Sequence, residues 1–298
     1  MDKRERCRCG IQSVAVLLQN ANFKGFLTGR IYQGPIKAVC VPGLNCYSCP
    51  GAVGACPIGS LQASLGGLSF KLPYYVLGLL LFFGALLGRA ICGFLCPFGF
   101  LQDLLHRIPL PAALRRVRER LTHPFKGDTA LRKLKYVVLV LLVVVLPICI
   151  KLTPTFCEYL CPSGTLAGLF LMANDAALRE AAGGLFAWKF AVLLVLLLVA
   201  VLIFRPFCKY LCPLGAFYAP FNRFALLRME VDTHACVGCG ACANACKMGV
   251  DPAKSPNHSE CIRCGACMSA CEQDALRYCV SRSTSRSMSS SDIPPQRR

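Results

Sequence analysis

Eight cysteines near the C-terminus have the spacing of iron–sulfur ligands. Cys236, Cys239, Cys242 and Cys246 form C-x2-C-x2-C-x3-C, and Cys261, Cys264, Cys267 and Cys271 repeat it. Three thiolates at this spacing wrap one face of an iron–sulfide cube, and the fourth cysteine of each run ordinarily ligates the other cube. The pattern predicts two [4Fe-4S] clusters, one on Cys236, Cys239, Cys242 and Cys271, the other on Cys261, Cys264, Cys267 and Cys246. Gly240 and Gly265 fall inside the loops, where the backbone must turn tightly beside the cube and its amides can hydrogen-bond the sulfurs. A pair of zinc sites is the competing chemistry, but zinc knots seldom combine two such runs with crossed pairing. The proline that usually follows the fourth cysteine is absent; Lys247 and Glu272 stand there. Cys279 is left over and reads as a packed thiol.

A second cysteine motif recurs upstream. Cys92–Pro97 reads CGFLCP, Cys157–Pro162 reads CEYLCP and Cys208–Pro213 reads CKYLCP, each followed by x-Gly. Cys56, Pro57 and Gly59 make a fourth CPxG, preceded by Cys46 and Cys49, with Cys40 further upstream. Four copies constitute an internal repeat. Proline suits the first turn of a helix, where its missing N–H costs nothing. The preceding cysteine would then be the N-cap, with its sulfur at the positive helix end. A Pro-initiated helix with a buried thiol explains one copy; four copies with paired cysteines point to ligation.

The elements that must hold these cysteines are apolar. Hydrophobic residues make up 55% of the 298 and mean hydropathy is +0.52, above the ordinary soluble range of roughly 45–50% apolar. The excess lies in the runs Leu72–Gly88, Tyr136–Ile150 and Phe190–Phe204, with a weaker one at Gln12–Leu27. Apolar on every face, they read as transmembrane helices, and the flanking Lys and Arg extend their reach by snorkelling. The net charge of +18, from 33 Lys and Arg against 15 acids, flanks these runs and forms no stripe with interleaved aromatics, so membrane topology explains it and nucleic-acid binding is not expected. Ten Lys or Arg fall in Arg89–Lys135 and three in Lys151–Lys189. The positive-inside rule then puts the first loop, the basic N-terminus and everything after Arg205 in the cytoplasm, which four spans satisfy. The basic start lacks a cleavage site, so no signal peptide is expected.

This topology sorts the repeats. Cys92, Cys96, Cys208 and Cys212 come together on the inner side as four ligands. Cys46, Cys49, Cys56, Cys157 and Cys161 lie outside, five candidates for a four-ligand site, with Cys40 a sixth. Disulfides compete with a cluster there, because an oxidising exterior favours them. The apolar segments after Cys56 and Cys161 are too short to cross and read as re-entrant half-helices. One or two clusters would thus join the two of the ferredoxin runs. The expected fold is mainly α: a four-span transmembrane bundle with re-entrant half-helices over 1–228, then an α+β two-cluster bacterial ferredoxin-like domain over 229–280. A Ser/Arg/Pro-rich tail over 281–298 is expected to be disordered.

With CGFLCP at Cys92, CKYLCP at Cys208, four spans and paired ferredoxin runs from Cys236, the chain resembles membrane polyferredoxins of the NapH and NosR type over roughly residues 10–275. The resemblance implies electron transfer between a cytoplasmic or quinol donor and a redox partner across the cell membrane, an electron-transfer component rather than a stand-alone catalyst. Any flavin is expected on a partner subunit. The outer stretch CYSCPGAVGACPIG and the third C-x3-C-P at Cys157 depart from the family pattern. A redox- or iron-sensing membrane regulator and an electron donor for metal-centre assembly are the alternatives. His106, His123, His234 and His258 lack paired spacing and read as loop or surface residues, and Trp188 beside Lys189 as an interfacial anchor.

Overall fold

The computed structural model describes residues 3–67, 73–122, 127–151 and 153–280. The tail 281–298, His123 and Leu72, the first residue of the expected second span, lie outside these.

The chain opens with α1 (Lys3–Gln19) and a short α2 (Phe23–Thr28). The expected helix over Gln12–Leu27 is therefore two helices. Asn20 and Asn22 cause the break: their amides bond the carbonyls of Val16 (3.0 Å) and Pro50 (2.7 Å), competing with the helical ladder. A loop then leads to α3 (Pro57–Leu65), tied internally by a parallel bridge between Cys40 and Ala55. The second apolar run forms α4 (Tyr74–Leu87). Next come α5 (Ala90–Phe94), α6 (Pro97–Leu105) and the basic α7 (Ala112–Thr122).

The third run is a helical rod: α8 (Asp128–Val137), a π-helical stretch Val138–Val145, and α9 (Leu146–Cys149). Pro147 lacks an N–H for the ladder, and the hydroxyl of Thr155 bonds the carbonyl of Leu142 at 2.7 Å nearby. After α10 (Thr155–Tyr159), α11 (Pro162–Asn174) and α12 (Ala176–Glu180) comes α13 (Gly184–Leu202). Its 19 residues have a mean hydropathy of 2.8 and span about 29 Å at the helical rise. By length and composition this described helix can cross a membrane alone; α4, at 14 residues, is apolar but shorter.

After α14 (Pro206–Tyr210) and α15 (Pro213–Tyr218) the chain enters a small C-terminal lobe. There β1 (Arg228–Val231) pairs antiparallel with β2 (Leu276–Cys279), Met229 opposite Tyr278, enclosing α16 (Ala241–Asn244) and α17 (Ala266–Ser269). Gly240 and Gly265 start these two helices with φ of 74° and 80°, a left-handed turn that a side chain would resist. One buried core runs from Leu80, Val143 and Phe156 through Phe207 and Tyr218 to Met248 and Ile262, so the lobe packs on the helices without a break. Large apolar side chains face outward instead on α1 (Leu17, Leu18), α4 (Phe82), the rod (Val140, Val145) and α13 (Leu194, Val195, Leu198).

Candidate iron–sulfur centres

All four Cys-Pro elements build the same cap. Cys56, Cys96, Cys161 and Cys212 are the N-caps of α3, α6, α11 and α15, in extended backbone, each followed by proline at the first helical position. The glycine two positions after the proline donates its amide to the cap sulfur: Gly59, Gly99, Gly164 and Gly215. For Gly215 the N···S distance is 3.4 Å. A sulfur so placed meets free amides and the positive end of a helix.

Two of these caps meet. Cys92 (α5), Cys96, Cys208 (α14) and Cys212 are all buried. Cys208 lies within electrostatic reach of Cys96 and Cys92, and Cys212 of Cys208, Cys92 and Cys96. Burial, and then the neighbouring sulfurs, push the Cys208 thiol up to about 12. Two arginines that sequence reasoning missed brace this group. Arg205 donates Nη1 to the carbonyl of Cys92, and Arg89 donates Nη2 to the carbonyl of Cys208 at 3.1 Å. Each arginine stands three residues before one cysteine pair and reaches across to the other. Gly99 and Gly215 leave room for them, since a Cβ there would sit 3.2 and 3.4 Å from the Arg205 and Arg89 guanidiniums. Arg205 holds a left-handed φ of 50°, costly for a non-glycine residue; its two bonds of 2.6 Å to Asp103 fix it there. The signal was legible as R-x2-C-x3-C-P in two copies; the third has Pro154 in the arginine position.

The other two caps meet as well. Cys56 lies within electrostatic reach of Cys161 and Cys46, and Cys157 of Cys161, Cys56 and Cys46. A Cβ on Gly59 would stand 3.9 Å from Cys157 Sγ, and one on Gly164 3.8 Å from Cys46 Sγ. Cys46, Cys56, Cys157 and Cys161 thus form the second group. Of the other two upstream candidates, Cys49 also lies within electrostatic reach of Cys46 but its sulfur faces the Asn20 amide oxygen at 3.8 Å, and Cys40 faces Ser60 Oγ at 3.5 Å. Lys189 Nζ donates to the carbonyl of Cys157 at 3.3 Å. No cysteine among the described residues is in a disulfide.

The C-terminal lobe sorts its eight cysteines as the crossed pattern requires. A cavity of about 240 Å³ is lined by Cys236, Cys239, Cys242 and Cys271, and a tighter one by Cys246, Cys261, Cys264 and Cys267. Burial first, then Cys264 and Cys246, push the Cys261 thiol up to about 11. Cys239 is exposed. Cys279 donates to Glu230 at 2.9 Å. The His258 Nδ1 accepts the Glu260 amide at 3.1 Å, a structural role, and the Trp188 indole donates to the Tyr159 carbonyl at 3.2 Å.

These groups follow one another. A Cβ on Gly93, beside Cys92, would run into the carbonyl of Ile262, beside Cys261. On the other side the amide of Leu44, two residues before Cys46, donates to Cys96 Sγ. Tyr218, fully buried, bonds the Pro42 carbonyl at 3.2 Å and lies within reach of Cys92, Cys96, Cys212 and Cys56.

Two features fit thiolate-bound [4Fe-4S] clusters. Among the described residues eight buried Lys or Arg stand against three buried Asp or Glu. Unmatched buried cations are costly; a four-thiolate cubane, with a net charge of about −2, offsets them where a neutral disulfide does not. Finally, Gln62 on α3 is buried and neither polar atom of its side chain finds a partner. Its counterpart on α6, Gln102, donates to Cys208 Sγ at 3.2 Å.

Comparison with known proteins agrees. One 4Fe-4S binding domain family (Fer4_5) matches residues 72–120, 134–173 and 185–230, and a second (Fer4) matches 229–250 and 255–277. The methylamine utilization ferredoxin-type protein MauN of Paracoccus denitrificans is 33% identical over 62% of this chain and 58% of its own length. The regulatory protein NosR of Stutzerimonas stutzeri is 30% identical over 58% and 22%. An uncharacterized protein of Methanocaldococcus jannaschii is 30% identical over 55% and 53%. The match therefore spans about half of the first and third relatives and about a fifth of NosR. No solved structure matches this chain. It is an iron–sulfur protein with several [4Fe-4S] clusters, carrying two kinds of 4Fe-4S binding domain and similar over part of its length to the ferredoxin-type MauN and to NosR.

Proposed function

We propose that the chain is a multi-pass membrane relay for single electrons, with four cluster sites in the order of their contacts. From the exposed end these are Cys236, Cys239, Cys242 and Cys271; then Cys246, Cys261, Cys264 and Cys267; then Cys92, Cys96, Cys208 and Cys212; then Cys46, Cys56, Cys157 and Cys161. When bound, the clusters would take up and release one electron at a time, the protein tuning and spacing them. The unbroken sequence of contacts, Ile262 against Gly93 and Leu44 against Cys96, carries this reading. Ile262 packs the ferredoxin lobe onto the inner group, and Leu44 and Tyr218 close the gap to the outer one. A hydrocarbon core of ~30 Å is then divided into shorter steps.

The membrane placement assigns residues 1–228 to the bilayer domain and 229–280 to the cytoplasmic ferredoxin domain. Crossings would be made by α1 with α2, by α4, by the rod α8–α9 and by α13, with α3 and α11 as re-entrant half-helices. Outward-facing apolar side chains on α1, α4, the rod and α13 support it. So do the ion pairs Arg8–Asp103 and Glu5–Arg107, and the approach of Lys247 to Glu5 at 3.8 Å. They gather the N-terminus, the basic loop and the ferredoxin lobe at one end, as the charge map requires. The donor is a cytoplasmic protein or a quinol, and the acceptor a redox partner, with any flavin on a separate subunit.

Anaerobic purification with iron and sulfide counting tests the reading. Four cubanes give about sixteen irons. A count of about eight would confine ligation to the ferredoxin lobe and end the relay. A second reading, a redox-responsive regulator, has one observation in its favour, the name of the relative NosR. Full electron transfer through reconstituted vesicles would set it aside.

A further inference from the structure

Lys247, which stands where the ferredoxin pattern has proline, does not simply replace it. It turns toward a cavity of about 470 Å³ at the seam between the ferredoxin lobe and the helices. Glu5 and Arg8 of α1, Asp103 of α6, His106, Arg107, Arg118 of α7 and Phe204 complete the lining. Its electrostatics are one-sided. Arg8, Arg107, Arg118 and Lys247 face two carboxylates, and both are already engaged. Asp103 has Arg8 and Arg205 at 2.6 Å, and Glu5 has Arg107 at 3.5 Å and Lys247 at 3.8 Å. His106 Nδ1 is buried without a hydrogen-bond partner, and Arg107 Nη2 makes its 3.5 Å ion pair with Glu5 but no hydrogen bond. Burial, and then the positive charges of Arg118 and Lys247, push the His106 imidazolium down to about 4.

We infer that this cavity binds a phosphate-bearing anion at the junction of the two domains. Guanidinium and ammonium groups converging from separate elements are the usual receptor for phosphate. One phosphate group carries the charge that the cations outnumbering Glu5 and Asp103 require. The cavity exceeds a bare ion, so it accommodates a substituted phosphate. Two sources share this chemistry: a free phosphoryl compound, and the headgroup of an anionic phospholipid, which basic pockets at the cytoplasmic ends of membrane helices are suited to hold. The lipid source rests on the membrane reading above; the anion site itself does not. Lys247 follows Cys246 directly, so an anion here sits beside the second ferredoxin group and lowers its potential by repelling the added electron.

The test is calorimetric titration of inorganic phosphate into the metal-loaded protein, first in neutral detergent and then in discs of phosphatidylcholine with or without phosphatidylglycerol. Saturable phosphate binding is expected, weakened at least tenfold by Lys247→Pro, which restores the usual ferredoxin residue, and by Arg107→Gln. Loss of phosphate binding only in phosphatidylglycerol discs identifies the headgroup as occupant; equal binding in both discs identifies a free phosphate. Absence of saturable binding in detergent and in phosphatidylcholine discs would overturn the site, as would binding indifferent to both substitutions. Capture of an acidic polypeptide in place of phosphate would also overturn it. Because titration needs no electron transfer, its failure leaves the relay standing, and a low iron count leaves the anion site standing.

Discussion

The inner and outer cysteine groups are built on one cap and braced in opposite ways. Each joins CPxG caps, the cap sulfur held by the glycine amide. Around the inner group, Arg89 and Arg205 reach reciprocally across to the other cysteine pair. Glu260, at 2.7 Å from Arg89, and Asp103 anchor them, and Glu260 also pairs with Lys135. Around the outer group there is no such symmetry. One cysteine pair comes from a C-x3-C-P element and the other, Cys46 and Cys56, from an irregular loop. Its cations are the buried Lys37 and the nearby Lys189, both donating to backbone carbonyls. The repeat thus conserves what holds a sulfur at a helix end and varies what surrounds it. Two sites of like ligand chemistry receive different fields, the means by which a protein spaces the potentials of otherwise similar clusters.

The largest expected effect of breaking this difference is at Arg205. Arg205→Met leaves the Cys92 carbonyl and one side of Asp103 without a donor in a buried setting, which costs about 3–5 kcal/mol. The expected result is loss of about four irons and a clearly lower thermal midpoint. Lys189→Met, its outer counterpart, breaks one partly buried bond to a carbonyl and is expected to cost about 1 kcal/mol with iron intact. Equal losses at the two positions would show that the bracing is not what separates the groups.

Serine replacements sharpen the membership of each group. Cys212→Ser and Cys46→Ser should each remove a different set of about four irons, read by iron count and by which EPR signal disappears. Cys49→Ser and Cys40→Ser should remove none. Iron lost at Cys49 would return it to the outer group and displace Cys46 or Cys56.

Much of this was legible in the sequence, for physical reasons. Proline after cysteine fixes a helix start, so the cap positions of Cys56, Cys96, Cys161 and Cys212 follow from local chemistry alone. That Cys271 lines the first cavity and Cys246 the second was expected from the ferredoxin pattern, whose fourth cysteine ordinarily ligates the other cube. Choosing Cys46 over Cys49 was not legible, because it depends on where Asn20 and Ser60 lie after folding. Nor was the break at Asn20–Asn22, where side-chain amides win against an apolar run that composition alone would continue. The arginine exchange shows as a spacing, but that Arg89 serves Cys208 and Arg205 serves Cys92 is a fact of packing.

The smallest expected effect is also the most discriminating, at the paired glutamines. Gln102 has work on both atoms: Nε2 on Cys208 Sγ and Oε1 accepting the Phe207 amide at 3.2 Å. Gln102→Leu strands that amide and is expected to cost about 1–3 kcal/mol, with or without metal. Gln62, in the same place on α3, has neither bond. Gln62→Leu should therefore leave metal-free protein unchanged or raise its stability, since it removes an unpaired buried amide. In metal-loaded protein the amide would donate to sulfur of the outer group, and its loss should lower the midpoint potential of that signal alone, with iron retained. Redox titration followed by EPR reads this directly. Were the outer cysteines disulfide-bonded, no iron signal would be there to move, and Gln62→Leu would stabilise the isolated protein as it does the metal-free form.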